Sequence, residues 1–234
     1  KIVKPIEPVV AKKPVKIEVP TTKKVLPQLL TNQLHQQKLT LAAAFTRLFS
    51  EFGLKVNDEQ IVNPCEMAKQ NGYLCLVETG NWRQILQFDR PAILELEDNA
   101  GQKYHVVLKK VADDKIYLDL GKEPEFVTTL SQLVPLWNGN YVQLWKPFGP
   151  GKYILRQGDQ GKNVFKLREL LAAFDDKSLE TVTPLIFDEV LTRIVTQFQI
   201  KSGLDADGVV GPKTWILLNN SVDTGRPWLI MKGD

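Results

Sequence analysis

The sequence predicts an α+β domain built on an antiparallel sheet, followed by a small domain of three helices. Two observations lead to that class. A helix-period stretch near residue 40 gives way, after Pro91, to short β-rich runs divided by turn residues. Helical periodicity then returns beyond a stiff join, Lys146-Pro147-Phe148-Gly149-Pro150-Gly151.

The elements follow in order. Residues 1–30 carry Pro5, Pro8, Pro14, Pro20 and Pro27, with seven lysines against Glu7 and Glu18. Proline at that spacing prevents a helix and favours extended chain, so this stretch reads as a linker. Its Val and Ile between prolines also suit an edge strand that docks on a sheet. Over 39–53, Leu41, Ala44, Phe45, Leu48, Phe49 and Phe52 form one apolar face and Gly53 ends it. Asn81 is the expected cap of a second short helix with Trp82, Ile85 and Leu86 inward. Strands are expected over 92–97, 104–111, 115–120, 125–128 and 141–145, with Asp113-Asp114 as a hairpin turn. These elements make a first domain over 31–148.

In the second domain, over 153–220, a helix carries Val164, Leu167 and Leu171. Phe187, Val190, Leu191, Ile194 and Phe198 recur at i, i+3, i+4, i+7 and i+11, one apolar stripe on a further helix. Gly203 supplies its left-handed end. Asp207-Gly208 is a turn, Gly211-Pro212 opens the last helix, and Trp215 and Leu218 face back one turn apart. Residues 221–234 form a tail that the pattern leaves either folded back or loose.

Composition narrows the class. With 234 residues, 43% hydrophobic and 24% charged, the chain suits two modest globular domains. No apolar run approaches the roughly 20 residues of a spanning helix, and no signal peptide opens the chain. It begins at Lys1 rather than Met, which reads as a fragment lacking an export or anchoring segment. A net charge of +3 is too weak to argue for nucleic acid. Cys65 and Cys75 form a small disulfide loop in an oxidising compartment, or two thiols in a reducing one. With only His35 and His105 besides, no zinc site is expected. Neither G-x-S-x-G, GxxxxGK[ST] nor GxGxxG is present, and no cofactor is expected. Glu95 and Glu97 alternate with Leu94 and Leu96, as an exposed strand face would.

The run Phe198-Gln199, Gly203-Leu204, Asp207-Gly208, Gly211 and Thr214-Trp215 closely resembles the C-terminal half of the peptidoglycan-binding domain attached to many cell-wall hydrolases. Arg156-Gln157-Gly158-Asp159-Gln160-Gly161 matches its N-terminal half. The resemblance implies a shallow groove offering amide partners, an aromatic wall and cations for stem-peptide carboxylates, with Arg156, Gln199, Asp207 and Trp215 as candidates. A wall-binding neighbour implies the periplasm or exterior, and hence a Cys65–Cys75 disulfide.

The first domain resembles the C39-type peptidase fold, a papain-like domain. Pro91-Ala92-Ile93-Leu94, His105-Val106-Val107-Leu108 and Leu118-Asp119 stand in that family's order over about 33–147. A strand His oriented by Asp is two-thirds of a cysteine-peptidase triad, and His105 and Asp119 are expected as near neighbours across the hairpin. The family's nucleophile run is Asp-Cys-Gly; here it reads Leu39-Thr40-Leu41. A threonine hydroxyl does not replace a thiolate there without its own activating base, so the resemblance implies a peptidase-like domain that has lost catalysis.

The order of linker, C39-like domain and peptidoglycan-binding domain resembles the periplasmic part of the general secretion pathway protein A family. That implies a periplasmic protein anchored to the inner membrane through a segment missing from this sequence. It also implies peptidoglycan, a partner B protein and the type II secretin as partners, an oligomer in the full-length protein, and an ATPase in its N-terminal part. The rival expectations are a secreted wall hydrolase or cysteine peptidase targeted by its binding domain, and a plain protein-interaction module.

Overall fold

The computed structural model describes residues 27–122, 124–175, 183–220, 222 and 225–230. Among these residues six strands form one antiparallel sheet: β1 (Leu74–Thr79), β2 (Ala92–Glu97), β3 (Lys103–Ala112), β4 (Lys115–Asp119), β5 (Phe126–Thr129) and β6 (Trp137–Trp145). Their order is β1-β6-β2-β3-β4-β5, so β1 and β5 are the edges. Asp113, at φ 53°, makes the β3–β4 turn, and a register shift between Leu108 and Lys110 then sets Asp119 opposite Val107.

Side chains alternate across each strand, which gives the sheet two faces. Ile93, Val107 and Leu144 point to one of them. There they meet Ala44, Phe45, Leu48 and Phe49 of helix α2 (Leu41–Glu51) and Ala68 of α3 (Pro64–Gln70). Thr40 caps α2, its Oγ accepting from Ala43 N at 3.1 Å, and Asn63 with Pro64 starts α3. A disulfide between Cys65 and Cys75 ties α3 to β1, with Cα atoms 5.6 Å apart.

The opposite face carries Leu76, Leu94, Leu96, Val106, Leu108, Ile116, Leu118 and Trp145. Helix α1 (Gln28–Gln36) packs there through Leu30 and Leu34, and α4 (Trp82–Phe88) through Ile85 and Phe88. A capping box between Asn81 and Gln84 starts α4. After the four-residue α5 (Leu130–Leu133) and β6, the helices α6 (Lys162–Asp175), α7 (Glu189–Lys201) and α8 (Pro212–Asn219) join the same core. Val164, Leu167, Phe187, Leu191, Val195, Phe198, Trp215 and Leu218 are all buried in it. Burying each such Leu, Val or Phe stabilises the fold by about 1.5–3 kcal/mol. One hydrophobic cluster therefore runs from the sheet into the helical region.

Polar contacts reinforce that seam. The buried Arg90 donates from Nη2 to Asn220 Oδ1 at 2.7 Å, and Asn219 Nδ2 donates to Lys146 O at 2.8 Å. The described tail residues fold back onto Asp89, which ends α4 in the left-handed region. Its carboxylate accepts from Leu229 N, Ile230 N and Arg226, while Val111 N donates to Leu229 O at 2.8 Å.

Several expectations need correction. The linker expected over 1–30 ends earlier, because Gln28–Gln36 is helical with Leu30 fully buried; residues 1–26 lie outside the described residues. β1, α1, α3 and α5 are additional elements. Val190, assigned to the buried stripe, is 51% exposed; Phe187, Leu191 and Phe198 are buried, Ile194 is half-buried against the core, and Val195, not expected there, is buried with them. No described helix is long and apolar enough to cross a membrane.

Candidate functional site

A cleft of about 480 Å³ opens on the sheet face that α2 and α3 leave uncovered. Leu41, Val77, Ile93 and Val142 give it apolar walls, and Glu78, Thr79, Glu95, His105 and Asn140 give it polar ones. Leu41, the first residue of α2, overhangs it, so the start of α2 and the His105 strand face one another here, as the C39 resemblance implies.

His105 stands directly opposite Glu95 in the β2–β3 ladder. Burial holds its imidazole below the ordinary histidine value, against the opposing pull of the Glu95 charge. Glu95 is not the exposed-face residue that its alternation suggests. Its Oε1 accepts from Lys103 Nζ at 2.8 Å, Asn138 Nδ2 at 3.1 Å and Asn140 Nδ2 at 3.0 Å. The Lys103 hydrogen bond leads in bringing its pKa down to about 2.

Asp119 lies opposite Val107 and so diagonal to His105 on the same face. The two do not form a dyad. Arg47 Nη1 donates to both Asp119 oxygens, at 3.0 and 2.7 Å, and Gly121 N donates to Oδ1 at 2.8 Å. The guanidinium also reaches Gly121 O, so Asp119 is buried in a tie between α2 and the end of β4. Thr40 sits at the expected nucleophile position, but its oxygen is engaged in capping α2. Both cysteines of the chain are joined in the disulfide. The cleft thus holds an imidazole beside a carboxylate and no thiol.

In the helical region, Gln199 is 2% exposed and organises the turn before α8. Its Nε2 donates to Asp207 Oδ1 and Val209 O, both at 2.9 Å, and its Oε1 accepts from Gly208 N at 2.9 Å. Asp207 Oδ1 also accepts from Val209 N, closing an Asx-type turn. Gly208 is needed there: its φ is 71°, and a Cβ would lie 2.9 Å from Thr192 Cγ2. Trp215 is buried, with Nε1 donating to Tyr153 O at 2.6 Å, so it supplies core rather than an open aromatic wall. Of the four binding candidates, Arg156 alone presents an exposed cation; its backbone N is held by Asp159. The bridge between Leu155 and Val210 sets Arg156 beside the Asp207–Gly211 turn.

Sequence reasoning missed Glu78, Arg47 and the role of Glu95. Glu78 accepts from Lys213 Nζ at 2.9 Å, a contact from β1 to α8. A smaller hollow of about 160 Å³ lies there, lined by Glu78, Leu204, Asp205, Asp207, Pro212 and Lys213 among others. Only the strand registers bring these groups together, and the sequence held no local sign of β1.

Against known families, residues 29–147, just over half of the chain, match the model described as "GspA, peptidase C39-like domain". The chain belongs to this GspA C39-like family. Residues 160–218 match a second model, described as "Putative peptidoglycan binding domain". General secretion pathway protein A of Aeromonas hydrophila is 26% identical over 216 residues, covering 91% of this chain and 38% of the relative, so the chain spans well under half of that protein's length. A periplasmic domain of the EpsAB fusion protein of the Vibrio vulnificus type II secretion system is 28% identical. It aligns over 82% of this chain and 83% of that one with a TM-score of 0.52. The GspA-like chain therefore carries a C39-like domain and a peptidoglycan-binding-type domain whose apolar residues share one core.

Proposed function

We propose that this chain is a non-catalytic, peptidoglycan-binding scaffold that works in the periplasm as part of a type II secretion system. The observation that carries the reading is the pairing of two matched regions, GspA C39-like and peptidoglycan-binding, in one packed body. The names of the two relatives support the secretion role, and the periplasmic domain of one supports the compartment, as does the disulfide. A peptidase reading lacks its central group, because the imidazole of His105 has no thiol partner and Asp119 serves Arg47.

In this proposal the wall-facing surface surrounds the Asp207–Gly211 turn. Arg156 meets stem-peptide carboxylates, and Gln199, Asp207 and Trp215 hold the surface in shape. Domain limits of 31–148 and 153–220, anchorage to the inner membrane, an oligomer in the full-length protein, its ATPase, and contacts with the B protein and secretin belong to the same proposal. Sedimentation with purified sacculi tests it. The chain should enter the pellet, and Arg156→Ala should weaken that binding several-fold without lowering the melting temperature. Retention of the unaltered chain in the supernatant would refute it.

A further inference from the structure

The cleft and the smaller hollow lie on opposite sides of one strand. Glu78 lines both, and β1 is an open edge. Natural edge strands are blunted by lysine, proline or bulges, because unpaired N–H and C=O groups recruit further strands. β1 reads Leu-Cys-Leu-Val-Glu-Thr, in unbroken register with β6 and with none of these devices. Its first half is covered by α3 through the Cys65–Cys75 link; in its second half Val77 is 66% exposed and Glu78 is held by Lys213 of α8.

Backbone parity defines what this second half offers. Gly80 N donates to Gly139 O at 3.0 Å. In an antiparallel ladder, bonded pairs alternate. The pairs of Glu78 with Tyr141 and Leu76 with Gln143 then exchange bonds, and the N–H and C=O of Val77 and Thr79 face outward. Among the described residues no hydrogen bond occupies these outward groups. Side chains of an added strand would alternate across the sheet: those beside Val77 would enter the cleft, and those beside Glu78 would enter the hollow.

Charge and polarity name the occupant. The cleft sets the apolar walls Leu41, Val77, Ile93 and Val142 beside its polar groups, and Val77 and Val142, nearest the β1 edge, suit apolar side chains there. The hollow sets Glu78, Asp205 and Asp207 against a single lining cation, Lys213, which pairs with Glu78. Among the described residues Asp207 is held by neutral donors alone, so two carboxylates stand in excess in the hollow, within a chain of net charge +3. We propose that β1 is a docking edge for an extended peptide segment alternating apolar and basic residues, which adds as a seventh strand. This surface goes beyond wall binding: its hollow shares the Asp207–Gly211 turn with the proposed wall-facing surface, but the docking edge is β1, and its test reads β1 amides in the absence of peptidoglycan.

The test uses the full chain and a capped hexapeptide of alternating Val and Lys, with amide exchange followed by NMR. Saturating peptide should slow exchange at Val77 and Thr79 at least tenfold. A Val–Glu hexapeptide should bind at least tenfold more weakly. N-methylating alternate residues in one phase should abolish binding, and in the other phase should leave it, because only one set of amides faces β1. Val77→Pro removes an outward N–H without a ladder bond and should lose the peptide; if that variant does not fold, the N-methylated peptides serve the same purpose on the unaltered chain. The proposal is overturned by equal binding of both N-methyl phases, by equal binding of the Val–Glu peptide, or by protection at 126–129 on the other edge. It is also overturned by an absence of protection at Val77, or by concentration-dependent protection there without peptide, which would make a second copy the occupant.

Discussion

Replacing Gln199 with Leu separates a residue that builds the proposed binding surface from one that touches ligand. The substitution keeps the volume but removes the hydrogen bonds to Asp207, Val209 and Gly208, each 2.9 Å long, and a longer one of 3.5 Å to Thr214. Asp207 is exposed and recovers water at little cost. Gly208 N and Val209 O lose their partners beneath a core wall, and each stranded group costs about 1–3 kcal/mol. The expected loss is about 2–6 kcal/mol. At roughly 2–4 °C per kcal/mol for a chain of this length, melting should fall by roughly 4–24 °C. Calorimetry and urea unfolding both read it, with sacculus binding measured below the new transition. A loss under about 1 kcal/mol together with abolished sacculus binding would refute the reasoning, because Gln199 would then be a ligand contact.

Three further outcomes are expected. Reducing Cys65–Cys75, a loop closed over a separation of 10, should cost roughly 2–3 kcal/mol in urea unfolding and leave the far-ultraviolet spectrum native below the transition. Glu95 has a folded pKa of about 2, below its ordinary value, so its stabilisation is present above about pH 4.5 and is lost as pH falls toward 2. Glu95→Gln should flatten that acid limb by about 1 kcal/mol, a figure kept small because Lys103 is 54% exposed. Because one core runs through both regions, tryptophan fluorescence and circular dichroism should report a single coincident transition; two separate midpoints would show that the seam is weak.

Much of the fold was legible because local signals agreed. The apolar face from Ala44 to Phe49, the cap at Asn81, the hairpin at Asp113 and the glycine–proline start of α8 are short-range patterns that tertiary packing did not override, whereas Leu41, expected on that face, is exposed at the cleft. What failed depended on distant partners. α1 reads as the end of a proline-rich linker until Leu30 and Leu34 find the sheet. β1 is six residues without clean alternation, and its identity rests on pairing with β6. The bulge in β3 sets Asp119 beside Val107, and Arg47, 72 positions away, claims its carboxylate. Gln199 stands in the family motif, but the loop carbonyl and amide it serves appear only in the folded turn.

The central claim is that this chain holds peptidoglycan and does not cut it. One incubation with dye-labelled sacculi, followed by sedimentation, reads both halves. The account predicts that the protein enters the pellet while the supernatant stays free of released dye at any incubation time. Protein left in the supernatant, or dye release that His105→Ala abolishes, would contradict it.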